Sequence, residues 1–299
     1  MSVTAGTSTS ILKSLGITKL WGREEIFTLI DHREGTALIY DFERRHVYSR
    51  CIVRAVDYEN RTMTEMRSRT LRFRIKSTFA PSPGEDEGIT FTGGGFTASV
   101  ITKDSTYRII SALPDFPLPS GKKGLKTEIE FHIDPESSSF NQVYTKNRST
   151  EAIHSSLSPS VRGTVITGGE KRRIREENMT ARRVWKATSF PLRRDSYSSY
   201  CYGRSGGEPF SFTLSVAERK CLLLSGGTLT VRDNIRMEKT GDDSYLFTDD
   251  GDTRINLTVF AVTREKTGPF RQNRTLEYGL FSGCIASFTV PESFGSIEL

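Results

Sequence analysis

The segment TEIEFHI (127–133) places three titratable side chains, Glu128, Glu130 and His132, at alternate positions. Successive side chains of a β-strand point to opposite faces, so these three share one face and Ile129, Phe131 and Ile133 take the other. Two carboxylates and an imidazole on one face are the groups general acid–base chemistry is built from. A histidine in such a setting is more often a structural residue than a catalytic one. The trio is therefore the acid–base set of an enzymatic reading only, and no residue is assigned as catalytic.

Other catalytic and binding signatures are missing. The sequence contains no GxxxxGK[ST] or HExxH, and Gly93-Gly94-Gly95 sits inside a strand pattern as a bulge or tight bend. Cys51, Cys201, Cys221 and Cys284 stand apart from one another and from the histidines, which predicts packed thiols, no metal site and no cofactor. The tract DDGD (249–252) lacks the ligand spacing of a calcium loop and reads as the turn of a hairpin.

The elements that must position these residues are strands. Alternating apolar and polar residues fill ALIYDF (37–42), RTLRFRIKSTF (69–79), GITFTGGGFTASVIT (88–102), PFSFTLSV (209–216), TRINLTVFAV (253–262) and LFSGCIASFTV (280–290). No segment holds helical spacing over four turns, so the chain is predicted to be all-β, an antiparallel barrel or sandwich. Loops are expected at 80–88, 112–124 and 134–163, the last long enough to cross between two halves. The organisation expected is a tail at 1–15 and β domains at 16–160 and 161–299.

The 299 residues carry a net charge of +6, a moderate bias toward acidic partners. Two basic stretches stand out: Arg67, Arg69, Arg72, Arg74 and Lys76 in one, and Lys171, Arg172 and Arg173 in the other. Phe73 points away from Arg72 and Arg74 in a strand, so aromatics do not interleave with the cations, and nucleic acid is disfavoured. A solvated face is the ordinary role of such runs, and docking of an acidic protein is the alternative. No apolar run reaches the roughly 18 residues that span a bilayer. The expectation is a soluble, cytoplasmic protein, with organellar import through the acid-free N-terminus as the alternative.

Three stretches in order, EEIFTLIDHREGTALIYDFERR (24–45), GGEPFSFTLSV (206–216) and EYGLFSG (277–283), with YTKN (144–147), RGTVITGG (162–169) and ARRVW (181–185) between them, resemble a family. It is a lipocalin-like domain-of-unknown-function family, distantly related to the hydroxyneurosporene synthase (carotenoid hydratase) family. The resemblance implies two consecutive antiparallel calycin-type barrels or half-barrels with little helix. Where that family carries an Asp-Trp-Gly-Arg-Gly-like segment, this chain reads Met179, Thr180, Ala181, Arg182 and Arg183, then Val184 and Trp185. Only Arg182 and the trailing Trp185 match. A His-Gln pair is replaced by Thr275 and Leu276, while Tyr278, Gly279, Phe281, Ser282 and Gly283 match.

Three functions follow. The first is non-catalytic binding of a small apolar or amphipathic ligand by Arg182, Trp185, Tyr278 and Phe281, with the guanidinium as anion anchor. The second is an interaction or structural subunit docking an acidic partner on the basic strands. The third is a cofactor-free lyase, hydratase or isomerase on a lipophilic substrate, disfavoured by loss of the family's acidic residue.

Overall fold

A computed structural model describes residues 22–45, 48–71, 87–93, 96–103, 106–118, 121–133, 139–146, 149–158, 161–174, 178–188, 198–215, 218–267 and 272–298. Among them are 22 strands and no α-helix, so the all-β expectation holds. In chain order the first eight are β1 (Gly22–Asp31), β2 (Thr36–Arg45), β3 (Tyr48–Asp57), β4 (Thr62–Leu71), β5 (Glu87–Gly93), β6 (Phe96–Lys103), β7 (Thr106–Pro117) and β8 (Lys123–His132). Then come β9 (Ser139–Lys146), β10 (Ser149–Ser158), β11 (Val161–Thr167), β12 (Glu170–Arg173), β13 (Met179–Thr188), β14 (Ser198–Ser205) and β15 (Glu208–Ser215). The last are β16 (Lys220–Ser225), β17 (Thr228–Asp233), β18 (Arg236–Gly241), β19 (Ser244–Thr248), β20 (Arg254–Thr267), β21 (Gln272–Ile285) and β22 (Phe288–Glu298).

The chain divides into two compact units, residues 1–57 with 63–192 and residues 58–62 with 193–299. The first contains a seven-stranded sheet, β4-β3-β2-β1-β13-β10-β9, and a six-stranded sheet, β12-β11-β8-β7-β6-β5. The second is one curled nine-stranded sheet, β17-β16-β15-β14-β22-β21-β20-β19-β18. Every described pairing is antiparallel, as in lipocalin-like half-barrels. Residues 161–188, expected in the second domain, belong to the first unit: β11 is bonded to β8, and β13 lies between β1 and β10.

Three other expectations change for local reasons. The Ser-rich stretch at 134–163, read as a loop, holds the β9–β10 hairpin. The segment at 112–117 continues β7, because Leu113 and Phe116 are buried in the core. GITFTGGGFTASVIT and LFSGCIASFTV each contain a hairpin rather than one strand, turning between Gly93 and Phe96 and between Ile285 and Phe288. The expected hairpin at 249–252 is present, with Asp249 Oδ1 accepting from the amides of Gly251 and Thr253.

The core of the first unit lies between its two sheets. Phe27, Tyr40, Phe42 and Val53 from one face Tyr107, Ile109, Ile129 and Phe131 from the other. Within it Tyr40 Oη lies 3.1 Å from Ser111 Oγ and 2.9 Å from Thr127 Oγ1, and the two smaller hydroxyls are 2.8 Å apart. This closed ring of three hydroxyls ties β2 to β7 and β8 across the sheet gap. Burial pushes the Tyr40 phenol up to about 12, its hydrogen bonds to Ser111 and Thr127 opposing only part of that rise. The second unit packs Phe210, Phe212, Phe247, Ile255, Leu257 and Phe281 on its concave face.

Two glycines are fixed by close approach. Gly163 sits at φ +142°, and a Cβ there would lie 2.1 Å from the carbonyl oxygen of Glu128. At Gly279, in the EYGLFSG motif, a Cβ would lie 2.3 Å from the oxygen of Thr258. Gly163→Ala must push β11 off β8 and should cost about 1–3 kcal/mol in urea unfolding.

Tyr40→Phe should cost about 1 kcal/mol near neutral pH by removing its hydrogen bonds. Above pH 10 the unfolded chain releases the phenolic proton while the folded chain keeps it to about 12. The contribution of this phenol to stability is therefore complete below pH 10 and is lost between 10 and about 12. Denaturation at a series of pH values should show a shallower alkaline decline in Tyr40→Phe than in the parent.

Candidate functional site

Strand β13 carries the ARRVW motif, and ten-residue antiparallel registers with β1 fix both of its faces. One face belongs to the core: Met179 and Ala181 pack there with Phe27 and Leu29. Arg183 joins them, its Nε donating to Glu25 Oε2 at 3.4 Å and its guanidinium 5.1 Å from the centroid of Tyr107. Tyr107 in turn stacks on Phe131 at 5.4 Å. A cation on an aromatic face, paired with a buried carboxylate, fills this part of the interior.

The opposite face of the same sheet is also buried, and its composition is mixed. Register aligns Arg182 with Thr28, Thr28 with Ile39 and Ile39 with Arg54 across β13, β1, β2 and β3. The neighbouring rows read Thr180, Ile30, Ala37, Val56 and then Val184, Ile26, Asp41, Ile52. Arg182, Arg54 and Asp41 are each 1% exposed, and Thr28, Thr180, Glu24, Glu43 and Arg50 are buried with them.

Ion pairs run through this face. Arg54 Nη1 lies 3.7 Å from Asp41 Oδ2, and its Nε lies 3.3 Å from Glu65 Oε2. Glu65 also holds the half-exposed Arg67. Arg50 Nε meets Glu43 Oε2 at 2.8 Å. Beside the face, His32 Nε2 is 2.8 Å from Thr180 Oγ1, and Asp31 accepts from Arg172 at 2.5 Å. Charged groups this deep are costly unless paired, and their concentration on one face marks it as the candidate site.

The expected residues are distributed as follows. Arg182 lies on the buried charged face. Trp185 pairs through its backbone with Glu25, and its side chain lies outside those described. Tyr278 and Phe281 are in the second unit: Tyr278 stacks on Phe294 at 6.2 Å, while Phe281 sits in the core against Phe212. Those two are not brought together. Glu128, Glu130 and His132 do share a face, the outer one of the six-stranded sheet. There Glu128 is bonded to Arg108, Glu130 to Arg162, and His132 Nδ1 lies 3.5 Å from Thr106 Oγ1. No metal-holding group of His, Cys, Asp or Glu occurs among the described residues.

Of the basic residues, Arg67 and Arg69 are exposed on β4, Lys171 and Arg173 are exposed on β12, and Arg172 turns inward to Asp31. Arg72, Arg74 and Lys76 lie outside the described residues. Among the described residues no helix is long and apolar enough to cross a membrane.

Asp41, Glu43, Arg50 and Arg54 are absent from the sequence-derived set. Their signal is present in ALIYDFE and RCIVRAV, where Ile39-Asp41-Glu43 and Arg50-Ile52-Arg54 share a face while the alternate positions are also apolar. A strand hydrophobic on both faces is buried on both.

Arg183→Met should cost about 3–5 kcal/mol by removing a guanidinium buried against Glu25. Arg108→Ala, which breaks an exposed pair, should cost less than about 1 kcal/mol. Chemical denaturation of both variants checks the contrast.

No family model and no curated protein sequence matches the chain. Solved structures do resemble it. A putative AttH from Nitrosomonas europaea aligns with TM-score 0.57 and 9% identity over 94% of this chain and 92% of that one. CghA with Sch210972 aligns at 0.54 and 11%, covering 93% and 87%, and kievitone hydratase from Nectria haematococca at 0.52 and 11%, covering 95% and 91%. At these identities the likeness establishes that the chain shares their fold.

Proposed function

We propose that the protein binds a small amphipathic ligand with an acidic head group, held by Arg182 on the buried charged face of the seven-stranded sheet. The observation that carries this reading is the near-complete burial of Arg182 beside the hydroxyl-bearing Thr28 and Thr180, with Ile26, Ile30, Ile39 and Val184 around them. A guanidinium in such a setting suits a carboxylate or phosphate, and the aliphatic residues suit an apolar tail. Arg183 supports the same placement. It fills the core side of β13 at a position where the resembled family carries glycine. CghA is described with Sch210972 bound, so a neighbour in fold holds a small molecule. The remaining members of the sequence-derived set, Trp185, Tyr278 and Phe281, stay outside this minimal site.

A second reading, a cofactor-free lyase or hydratase, is favoured by one observation. Asp41, Glu43 and Glu24 put three buried carboxylates on the face of Arg182, supplying acids the motif itself has lost. One of the structural neighbours is a hydratase by name.

Native mass spectrometry of the protein purified from its source should detect a retained small molecule. Arg182→Lys should reduce its occupancy and Arg182→Met should abolish it, with cooperative melting confirming that both variants fold. Absence of any adduct, together with no melting shift from a panel of fatty acids and acyl phosphates, overturns the binding reading. Incubation with source extract separates the second: gain or loss of one water by a metabolite, abolished in Asp41→Asn, would establish the enzyme.

A further inference from the structure

The outer face of the six-stranded sheet carries a charged groove that the proposed ligand site does not use. It is an open groove of about 790 Å³ lined by Arg108, Glu128, Glu130, Arg162, Thr164 and Arg173, among others. Register explains how it forms. Glu130 lies opposite Arg162, while Glu128 lies opposite Thr164, which in turn faces Arg173. One row further along, Lys126 lies opposite Ile166, and Ile166 faces Lys171. Residues two apart on a strand are about 7 Å apart, so the rows form a ladder of charge with that spacing.

The ladder is unbalanced. Lys126, Lys171, Arg173, Arg162 and Arg108 face Glu128 and Glu130, and Lys126, Lys171 and Arg173 are exposed. The two carboxylates are already engaged by Arg108 and Arg162 in solvent-exposed pairs. Such pairs are worth about 0–1 kcal/mol, so an incoming anion displaces them at little cost. Arg172, between Lys171 and Arg173, points to the other side and is held by Asp31 and Glu34, which anchors the short β12 edge strand. Ile174 is buried, and its amide donates to Gly163 O at 3.0 Å, fixing the end of that strand beside Arg173. The cations at 171 and 173 are therefore presented on an edge tied down from below.

The geometry points to a binding site for a multiply phosphorylated small molecule along this ladder. Guanidinium forks match phosphate oxygens, and lysines at the adjacent row supply point charges for a second phosphate. A single-stranded nucleic acid is a poorer fit, because no aromatic side chain occupies these rows for a base to stack on.

The test is titration of the full chain with inorganic tripolyphosphate by calorimetry at fixed ionic strength, with orthophosphate and sulfate alongside. Two double variants remove the same charge: Lys171→Gln with Arg173→Gln on the ladder, and Arg67→Gln with Arg69→Gln on β4. Saturable binding of tripolyphosphate, tighter than orthophosphate and sulfate, is expected. The ladder pair should weaken it about tenfold or more, and the β4 pair should leave it unchanged. Equal weakening by both pairs, no saturable binding, or an affinity unaffected by the ladder pair overturns the proposal. Both pairs lie at exposed positions, and unchanged melting confirms that each still folds.

Discussion

The first unit depends on the antiparallel pairing of β1 with β13, ten residue pairs joining Gly22–Asp31 to Met179–Thr188. Side chains alternate faces along a strand, so this register decides which of two adjacent arginines enters the core and which faces away. A slip of β13 by one residue would exchange Arg182 with Arg183 and move Met179 and Ala181 out from between the sheets. Register in this sheet is firmly specified because both faces are buried, leaving no neutral alternative. The β2 and β3 registers then follow in step and set Asp41 against Ile52 and Ile39 against Arg54.

Electrostatics in this unit divides by depth. On the inner and second faces of the seven-stranded sheet, Arg183, Arg54 and Arg50 are paired away from water, where each partner is needed to offset the desolvation of the other. On the outer face of the six-stranded sheet the same residue types sit in solvent, and their pairs are loose and exchangeable. The network from Asp41 through Arg54 and Glu65 to Arg67 joins the two regimes, running from a buried carboxylate to an exposed guanidinium. Arginine serves both settings because its charge survives burial and its planar fork holds more than one acceptor.

Much of the fold was legible because alternation reports faces directly. TEIEFHI became the stretch of β8 with Phe131 and Ile129 in the core and Glu128, Glu130 and His132 outside. Tight turns were harder to read. In LFSGCIASFTV the chain reverses at Ala286, a non-glycine residue at φ +53°, with no turn-forming dipeptide to announce it. The extent of the first unit was obscured because β13 pairs with a strand some 150 positions earlier, and no local pattern encodes such a partner. The charged face was hidden for a related reason: Asp41 and Arg54 look like solvent-facing residues until both faces of their strands are seen to be covered.

The second unit has its first and last strands side by side, β14 against β22, from Ser198 opposite Glu298 to Cys201 opposite Gly295. During vectorial synthesis β14–β17 emerge as a four-stranded fragment whose row of Phe210, Phe212 and Leu214 awaits partners. Hairpins from β18 onward extend a separate fragment, and only β22 welds the two into one sheet. The nine-stranded sheet is therefore complete only once β22 has been made, and until then the row of Phe210, Phe212 and Leu214 lacks part of the sheet that packs with it.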